Sequence, residues 1–342
     1  MPSRKKTALV IVGLIILTAA FTAWRLFGSN TNFSEGKKSI YIKTGSSFSD
    51  VMIDIKDILK NPGTFKWVAQ RLGYDKKLKA GKYVIEKNAS IYAVVKLLSS
   101  GRQTPVNFVI TKLRTKEDLA QKIAANFECD SVSVINLLNN NNSLSKYGLD
   151  TNTVISAVIP NTYSILWNTV PSKVFSKLFA EKEKFWNAER KKKAEGLGLT
   201  PTQVYTLASI VEEETNREED KGKIASVYLN RLETGMKLAA DPTVKFAMRD
   251  FGLKRIYNKY LSYPSPYNTY QNPGLPPGPI CTPAIKTIDA VLNAVSTSYL
   301  YFVAKPDLRG YSNFASTYEE HMRYAKAYQQ ALDSLMKGKE NK

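Results

Sequence analysis

Residues Thr7–Trp24, TALVIVGLIILTAAFTAW, run eighteen positions without a charge. That is close to the ~20 apolar residues a helix needs to cross a bilayer, so the water-soluble fold has to begin after it. Arg4, Lys5 and Lys6 precede the run, and a basic flank favours a cytoplasmic N-terminus. Trp24 and Phe27 suit the far interface. A cleaved signal peptide is the rival, but the run exceeds a signal core and no small-x-small cleavage site precedes Phe21 or Trp24. An uncleaved single-pass anchor is expected, with everything after about residue 28 outside the cytoplasm. No nucleotide supply exists there, and no phosphate-cradling glycine loop is present.

The chain has 342 residues, enough for two domains, and a net charge of +19 from 49 basic and 30 acidic residues. Such a balance suggests an anionic partner: nucleic acid, anionic lipid or an anionic polymer. No zinc-finger spacing, RNA-binding aromatic signature or basic zipper is found, which argues against nucleic acid. Two cysteines, Cys129 and Cys281, are too few for a disulfide framework or zinc cage. The single histidine, His321, falls in a C-terminal helix and reads as a packing or capping residue. It leaves no multi-histidine metal site, and neither metal nor cofactor is expected.

Residues 29–37 are Ser/Asn/Gly-rich and read as a linker. Residues 38–103 read as a small α+β module: strands near 39–43 and 78–85, and helices at 48–59, 65–72 and 89–98, with Asn61-Pro62-Gly63 as a stop. Spacer and polymer-docking module remain equally open for it. Residues 104–338 read as a larger α+β domain. It is expected to hold a polar loop at Asn139–Asn142, one long helix over 175–194 with a solvated charged face, and a helix opened by an Asp241 cap and Pro242. A further helix capped at Thr282-Pro283 carries Val295, Tyr299–Val303 forms a buried strand, and a last helix starts from a Ser316–Glu319 capping box.

Thr200–Thr215 opens as a helix, with Thr200 and Gln203 as a capping box and Pro201 in the first turn. Leu207, Ile210, Val211 and Glu214 share one face at i, i+3, i+4, i+7. A carboxyl group thus lands where a core residue belongs, while Glu212 and Glu213 point to solvent or the rim. Two readings stay open. One is a solvated acidic helix end. The other is a desolvated carboxyl whose raised pKa suits a general acid.

Residues 262–283 contain seven of the fifteen prolines and three tyrosines, which excludes helix or central strand. Either this is a Pro-rich surface loop, or it is a stiff wall of a groove for a hydroxyl-rich polymer.

These stretches together resemble the YceG-like endolytic murein transglycosylases. The resemblance rests on Leu207–Thr215, Ala225–Leu232, Gly235–Leu238, Asp241–Val244, Ser265–Tyr270, Gly274–Ile280 and Tyr299–Ala304, in that order, over roughly residues 200–325. Leu78–Gly101 resembles the family's LysM-like module. The resemblance implies a bitopic inner-membrane protein with its N-terminus in the cytoplasm and its catalytic domain in the periplasm. It implies a lyase that cuts peptidoglycan between N-acetylmuramic acid and N-acetylglucosamine without water, leaving 1,6-anhydro ends and ending glycan elongation. The family's essential glutamate falls on Glu214, with Glu212 second. Asn268, Tyr270 and Tyr267 are expected to line the groove, while Asn230 and Arg231 are either substrate contacts or braces. Expected partners are peptidoglycan strands, the membrane, and peptidoglycan synthases and division proteins.

Two places depart from the family's pattern: Ala239-Ala240 stands where polar residues are common, and Gly310–Phe314 has Ser312 where a histidine is common. Two other readings remain: a membrane-anchored, non-catalytic peptidoglycan-binding scaffold, and a carboxylate metal site from Glu212, Glu214, Glu218 and Asp220. The second lacks a preformed oxygen-ligand loop.

Overall fold

A computed structural model of the chain describes residues 4–253 and 255–340. Helix α1 spans Arg4–Phe27. Lys5–Phe27 has a mean hydropathy of 2.2, is not buried, and is long and apolar enough to cross a membrane. Of the expected cytoplasmic tip, residues 1–3 lie outside the described residues. The chain divides into two units. The first holds residues up to Phe108, with 126–129 and 164–170; the second holds the remainder.

In the first unit, β1 (Lys37–Ile42) pairs antiparallel with β2 (Gly81–Glu86), in a register that sets Ile40 opposite Tyr83. Strand alternation turns Ile40, Ile42, Tyr83 and Ile85 to one face, where they are buried. Three helices supply the rest of the core: α2 (Phe48–Lys56), α3 (Pro62–Arg71) and α4 (Ile91–Ser100). Val51, Ile55, Phe65, Val94 and Leu98 close against the sheet residues. Ser47 and Asp50 form a capping box on α2, and α4 ends at Gly101, whose φ of 70° favours glycine.

Two expectations change here. Pro62 begins α3 instead of only ending α2, since proline fits a first helical turn. The supposed linker is stitched down: Asn30 and Thr31 are buried, Thr31 bridges Leu59, and Asn30 Oδ1 accepts the Asn61 amide at 2.9 Å.

Strands β3 (Val106–Val109) and β4 (Thr162–Ile165) each carry the chain between units. The second unit is mostly helical. Its early helices are α5 (Lys116–Asn126), α6 (Ser131–Leu138), α7 (Asn141–Ser145), α8 (Pro171–Phe185) and α9 (Ala188–Gly196). The expected polar loop holds α7, because Asn140 caps it through the Ser143 amide. The expected long helix is two, broken where Asn187 caps α9 after the buried Trp186. Its charged face is not uniformly solvated, for Lys182 is buried and desolvation lowers its pKa.

The centre of this unit is α10 (Pro201–Glu214), which packs against α11 (Glu218–Glu233), α12 (Asp241–Met248) and α13 (Ile285–Leu292). The Thr200/Gln203 capping box is present, and Leu207, Ile210 and Val211 are fully buried. Beyond α13, β5 (Tyr301–Ala304) pairs antiparallel with β6 (Ser312–Ala315), and α14 runs Tyr318–Glu340.

Corrections cluster at helix starts. Ala240, not Asp241, occupies the cap of α12. Thr282 does not cap α13; its hydroxyl takes the Leu113 amide at 2.8 Å. Val295 lies beyond α13 and is exposed, and β5 is half-buried. The expected Ser316–Glu319 box does not form; Thr317 takes the Glu320 amide at 3.2 Å and the Glu320 carboxylate takes the Ser316 amide at 3.3 Å.

Candidate active site

Three consecutive glutamates end α10, and their surroundings differ. Glu212 faces α13, where it accepts from Thr287 Oγ1 and sits 3.4 Å from the buried Lys221 ammonium. Glu213 is bound by Lys112 at 3.0 Å and Arg114 at 3.1 Å. Burial pushes its carboxyl up, but the Arg114 and Lys112 bonds and charges outweigh that and hold it below its ordinary value. Neither points freely to solvent as expected: their side chains are only 16% and 17% exposed.

Glu214 makes no ion pair among the described residues. The Tyr228 hydroxyl, on α11, donates to its Oε1 at 2.7 Å. Desolvation by the surrounding protein raises its pKa to about 7, and Asp241 adds to that rise. The Tyr228 bond, Arg231 and Lys245 work the other way without prevailing. Glu214 is half-buried. A carboxyl protonated near neutral pH can donate a proton and take one back.

The Pro-rich segment is docked on the same helix. Ser209 Oγ, in the middle of α10, accepts the Ile280 amide at 3.0 Å and donates to the Thr206 carbonyl at 2.7 Å. The Cys281 thiol lies 3.4 Å from the Ser209 carbonyl, and burial pushes its pKa well up. Residues 262–283 adopt neither helix nor strand. The Tyr270 hydroxyl reaches Asp241 Oδ1 at 2.7 Å.

The YceG-like family model matches residues 40–327. The chain belongs to the YceG-like family. An endolytic murein transglycosylase of Bacillus subtilis (strain 168) is 31% identical over 308 residues, covering 85% of this chain and 84% of that protein. A Streptococcus pneumoniae protein of the same name is 31% identical over 174 residues, 48% of this chain and 30% of its own length. The crystal structure of a yceG-like protein from Listeria monocytogenes superposes with a TM-score of 0.57 at 27% identity, covering 85% of this chain and 99% of that one.

In this YceG-like chain the expected groove residues separate. Tyr270 stands with Asp241, and burial, the Asp241 bond and the Asp241 and Glu214 charges push its hydroxyl well up. Tyr267 packs on Phe246, ring centroids 4.7 Å apart, and burial raises its pKa to about 12. Asn268 is fully buried. Its amide donates to the Leu261 and Tyr263 carbonyls at 3.0 and 2.8 Å, so it braces the loop instead of lining a groove. Asn230 likewise spends its amide on the Thr297 and Tyr299 carbonyls. Arg231 binds the Leu300 and Leu238 carbonyls at 2.7 and 2.6 Å. Both act as braces.

His321 stacks on Tyr301 at 5.3 Å, and burial lowers its pKa. The four acids of the metal alternative do not converge. Glu212 and Glu218 share Lys221, Asp220 accepts the Ser312 amide at 2.7 Å, and Glu214 accepts from Tyr228.

Sequence reasoning missed Tyr228 and Asp241 as site residues. Tyr228 was hidden in an apolar stripe, although a buried tyrosine hydroxyl needs a partner and so signals one. Asp241 was assigned to capping by its Asp-Pro context.

Proposed function

We propose that this chain is a membrane-anchored peptidoglycan lytic transglycosylase, with Glu214 as its acid and base. One observation carries the reading: of three adjacent glutamates, Glu212 and Glu213 are bound by cations, while Glu214 has no cation partner among the described residues and accepts from a tyrosine hydroxyl, where desolvation raises its pKa to about 7. The relatives named endolytic murein transglycosylase supply the substrate class. The net charge of +19 suits an anionic polymer.

Protonated Glu214 donates to the oxygen that links N-acetylmuramic acid to N-acetylglucosamine. The C1–O bond breaks and its electron pair stays with the departing sugar. The C6 hydroxyl of the muramic acid then attacks C1 and returns its proton to the Glu214 carboxylate. A 1,6-anhydro ring results, and no water is consumed. Cleavage within nascent strands ends their elongation.

The apolar α1 anchors the chain with Arg4, Lys5 and Lys6 on the cytoplasmic side and everything after about residue 28 outside it. Residues 38–103 serve as a LysM-like module that holds glycan.

The test is mass spectrometry of peptidoglycan after incubation with the purified full chain. Anhydro-muramic ends that vanish in Glu214→Gln support the reading. Reducing ends would make the protein a hydrolase, and unchanged glycan would make it a scaffold.

A further inference from the structure

The proposed reaction leaves one acidic side chain beside Glu214 without a task. Asp241 opens α12, yet it does not cap it, because Ala240 is the cap residue and makes no side-chain cap bond. Asp241 is exposed, and its carboxylate accepts one hydrogen bond, from the Tyr270 hydroxyl at 2.7 Å.

The backbone that presents it is tied down with unusual density. The Ala239 amide donates to the Thr269 carbonyl at 3.1 Å, and the Ala240 amide to Thr269 Oγ1 at 3.0 Å. The Thr243 and Thr269 hydroxyls meet at 2.9 Å, and Thr243 and Thr269 are both buried. Asn268 Oδ1 takes the Tyr270 amide at 3.0 Å, which orients the ring that reaches Asp241. Ala239 itself sits at φ 47°, a left-handed conformation costly for a residue with a Cβ. Strain of this kind persists only where the surroundings over-determine it, and it gathers at functional sites. The two alanines that depart from the family's pattern divide the task of setting Asp241 in place: half-buried Ala239 takes the left-handed turn, and buried Ala240, with extended backbone, is pinned by Thr269.

Glycoside cleavage passes through an oxocarbenium-like state, with positive charge on C1 and the ring oxygen. Glu214 is neutral when that charge begins to form and cannot balance it. The groups acting on Glu214 are Tyr228 and Arg231 from α11 and Asp241 and Lys245 from α12; the Tyr270 hydroxyl of the Pro-rich stretch holds Asp241. Asp241 is the one anion among them. Arg231 is spent on the Leu300 and Leu238 carbonyls.

We propose that Asp241, positioned by Tyr270, is a second acidic group of the reaction and stabilises the positive charge that develops on the muramic acid ring as the glycosidic bond breaks. The inference rests on the transglycosylase reading. Asp241 also supports Glu214 directly, since its charge favours the protonated acid. The proton and electron-pair movements are those given for Glu214; Asp241 neither gains nor loses a proton.

The experiment compares the full chain with Asp241→Asn, Asp241→Glu and Tyr270→Phe on peptidoglycan, measuring kcat, KM and the pH profile of anhydro-end release. Asp241→Asn is expected to lower kcat about 10- to 100-fold with KM changed less than about 3-fold, and to move the alkaline limb to lower pH. Tyr270→Phe should shift both in the same direction by less, and Asp241→Glu should restore part of kcat. If Asp241→Asn does not fold, Tyr270→Phe carries the comparison. Wild-type kcat in the variants overturns the proposal, as does a kcat loss with the limb unmoved, which would mark a purely structural aspartate. A wild-type chain that releases no anhydro ends overturns the underlying reading instead.

Discussion

The interiors of the two units are built on different terms. The first unit closes around aliphatic and aromatic side chains such as Ile42, Ile55, Phe65 and Leu98. Its buried polar pair, Asn30 and Thr31, does nothing but bind backbone amides. The second unit buries Ser209, Asp220, Lys221, Thr243, Asn268 and Thr287 around the helix that carries Glu214. Burying polar groups costs stability even when each is paired. The contrast shows where buried polar side chains are paired to hold geometry: around α10, whereas in the small module the Tyr74 and Ser99 hydroxyls are buried with no hydrogen-bond partner among the described residues.

Substitutions should divide along that line. The largest effect is expected from Glu214→Gln, which should lower turnover at least about 10³-fold while the chain stays folded. The same change should stabilise the protein at pH 8. The Glu214 carboxyl lies near the ordinary glutamate value of about 4.5 when unfolded and is raised to about 7 when folded. Between those values the folded state binds more protons, so wild-type stability falls as pH rises through that window. Glutamine does not titrate. Thermal unfolding should therefore show a gain of about 1–3 kcal/mol for Glu214→Gln at pH 8, and none from this source at pH 4.

Next comes Lys221→Met, which leaves Glu212 without its cation and the Thr287 hydroxyl without its donor. Denaturant titration should show a loss of about 3–5 kcal/mol. Leu98→Ala, in the apolar module, should cost about 2–5 kcal/mol yet leave the alkaline limb of the pH profile where it is in wild type. A comparable shift of that limb in Leu98→Ala would erase the distinction between the units. The smallest change is expected from Asn268→Ala. It frees the Leu261 and Tyr263 carbonyls and the Tyr270 amide. About 1–3 kcal/mol should be lost, with a lowered kcat, since Tyr270 loses its brace.

Much of this division was legible in the chain. Helix α10 announced itself through Thr200, Pro201 and Gln203, and the period of Leu207, Ile210 and Val211 singled out Glu214. Strands β1 and β2 were legible near 39–43 and 78–85, though their pairing was not. What failed was information about partners across space. Periodicity says which face Glu212 occupies, not that Lys221 and Thr287 wait there. The break between α8 and α9 turns on Trp186 being buried, which no local pattern reports. Asp241 and Asn268 had the residue types for a cap and for a groove contact. Tertiary hydrogen bonds assigned the first to Tyr270 and the second to a loop.

The claim that one carboxyl is kept protonated has a direct test. An NMR titration of the Glu214 side-chain carboxyl in the full-length protein, assigned by its loss in Glu214→Gln, should give a midpoint near 7. A midpoint near about 4.3, as for an unperturbed glutamate, would contradict it.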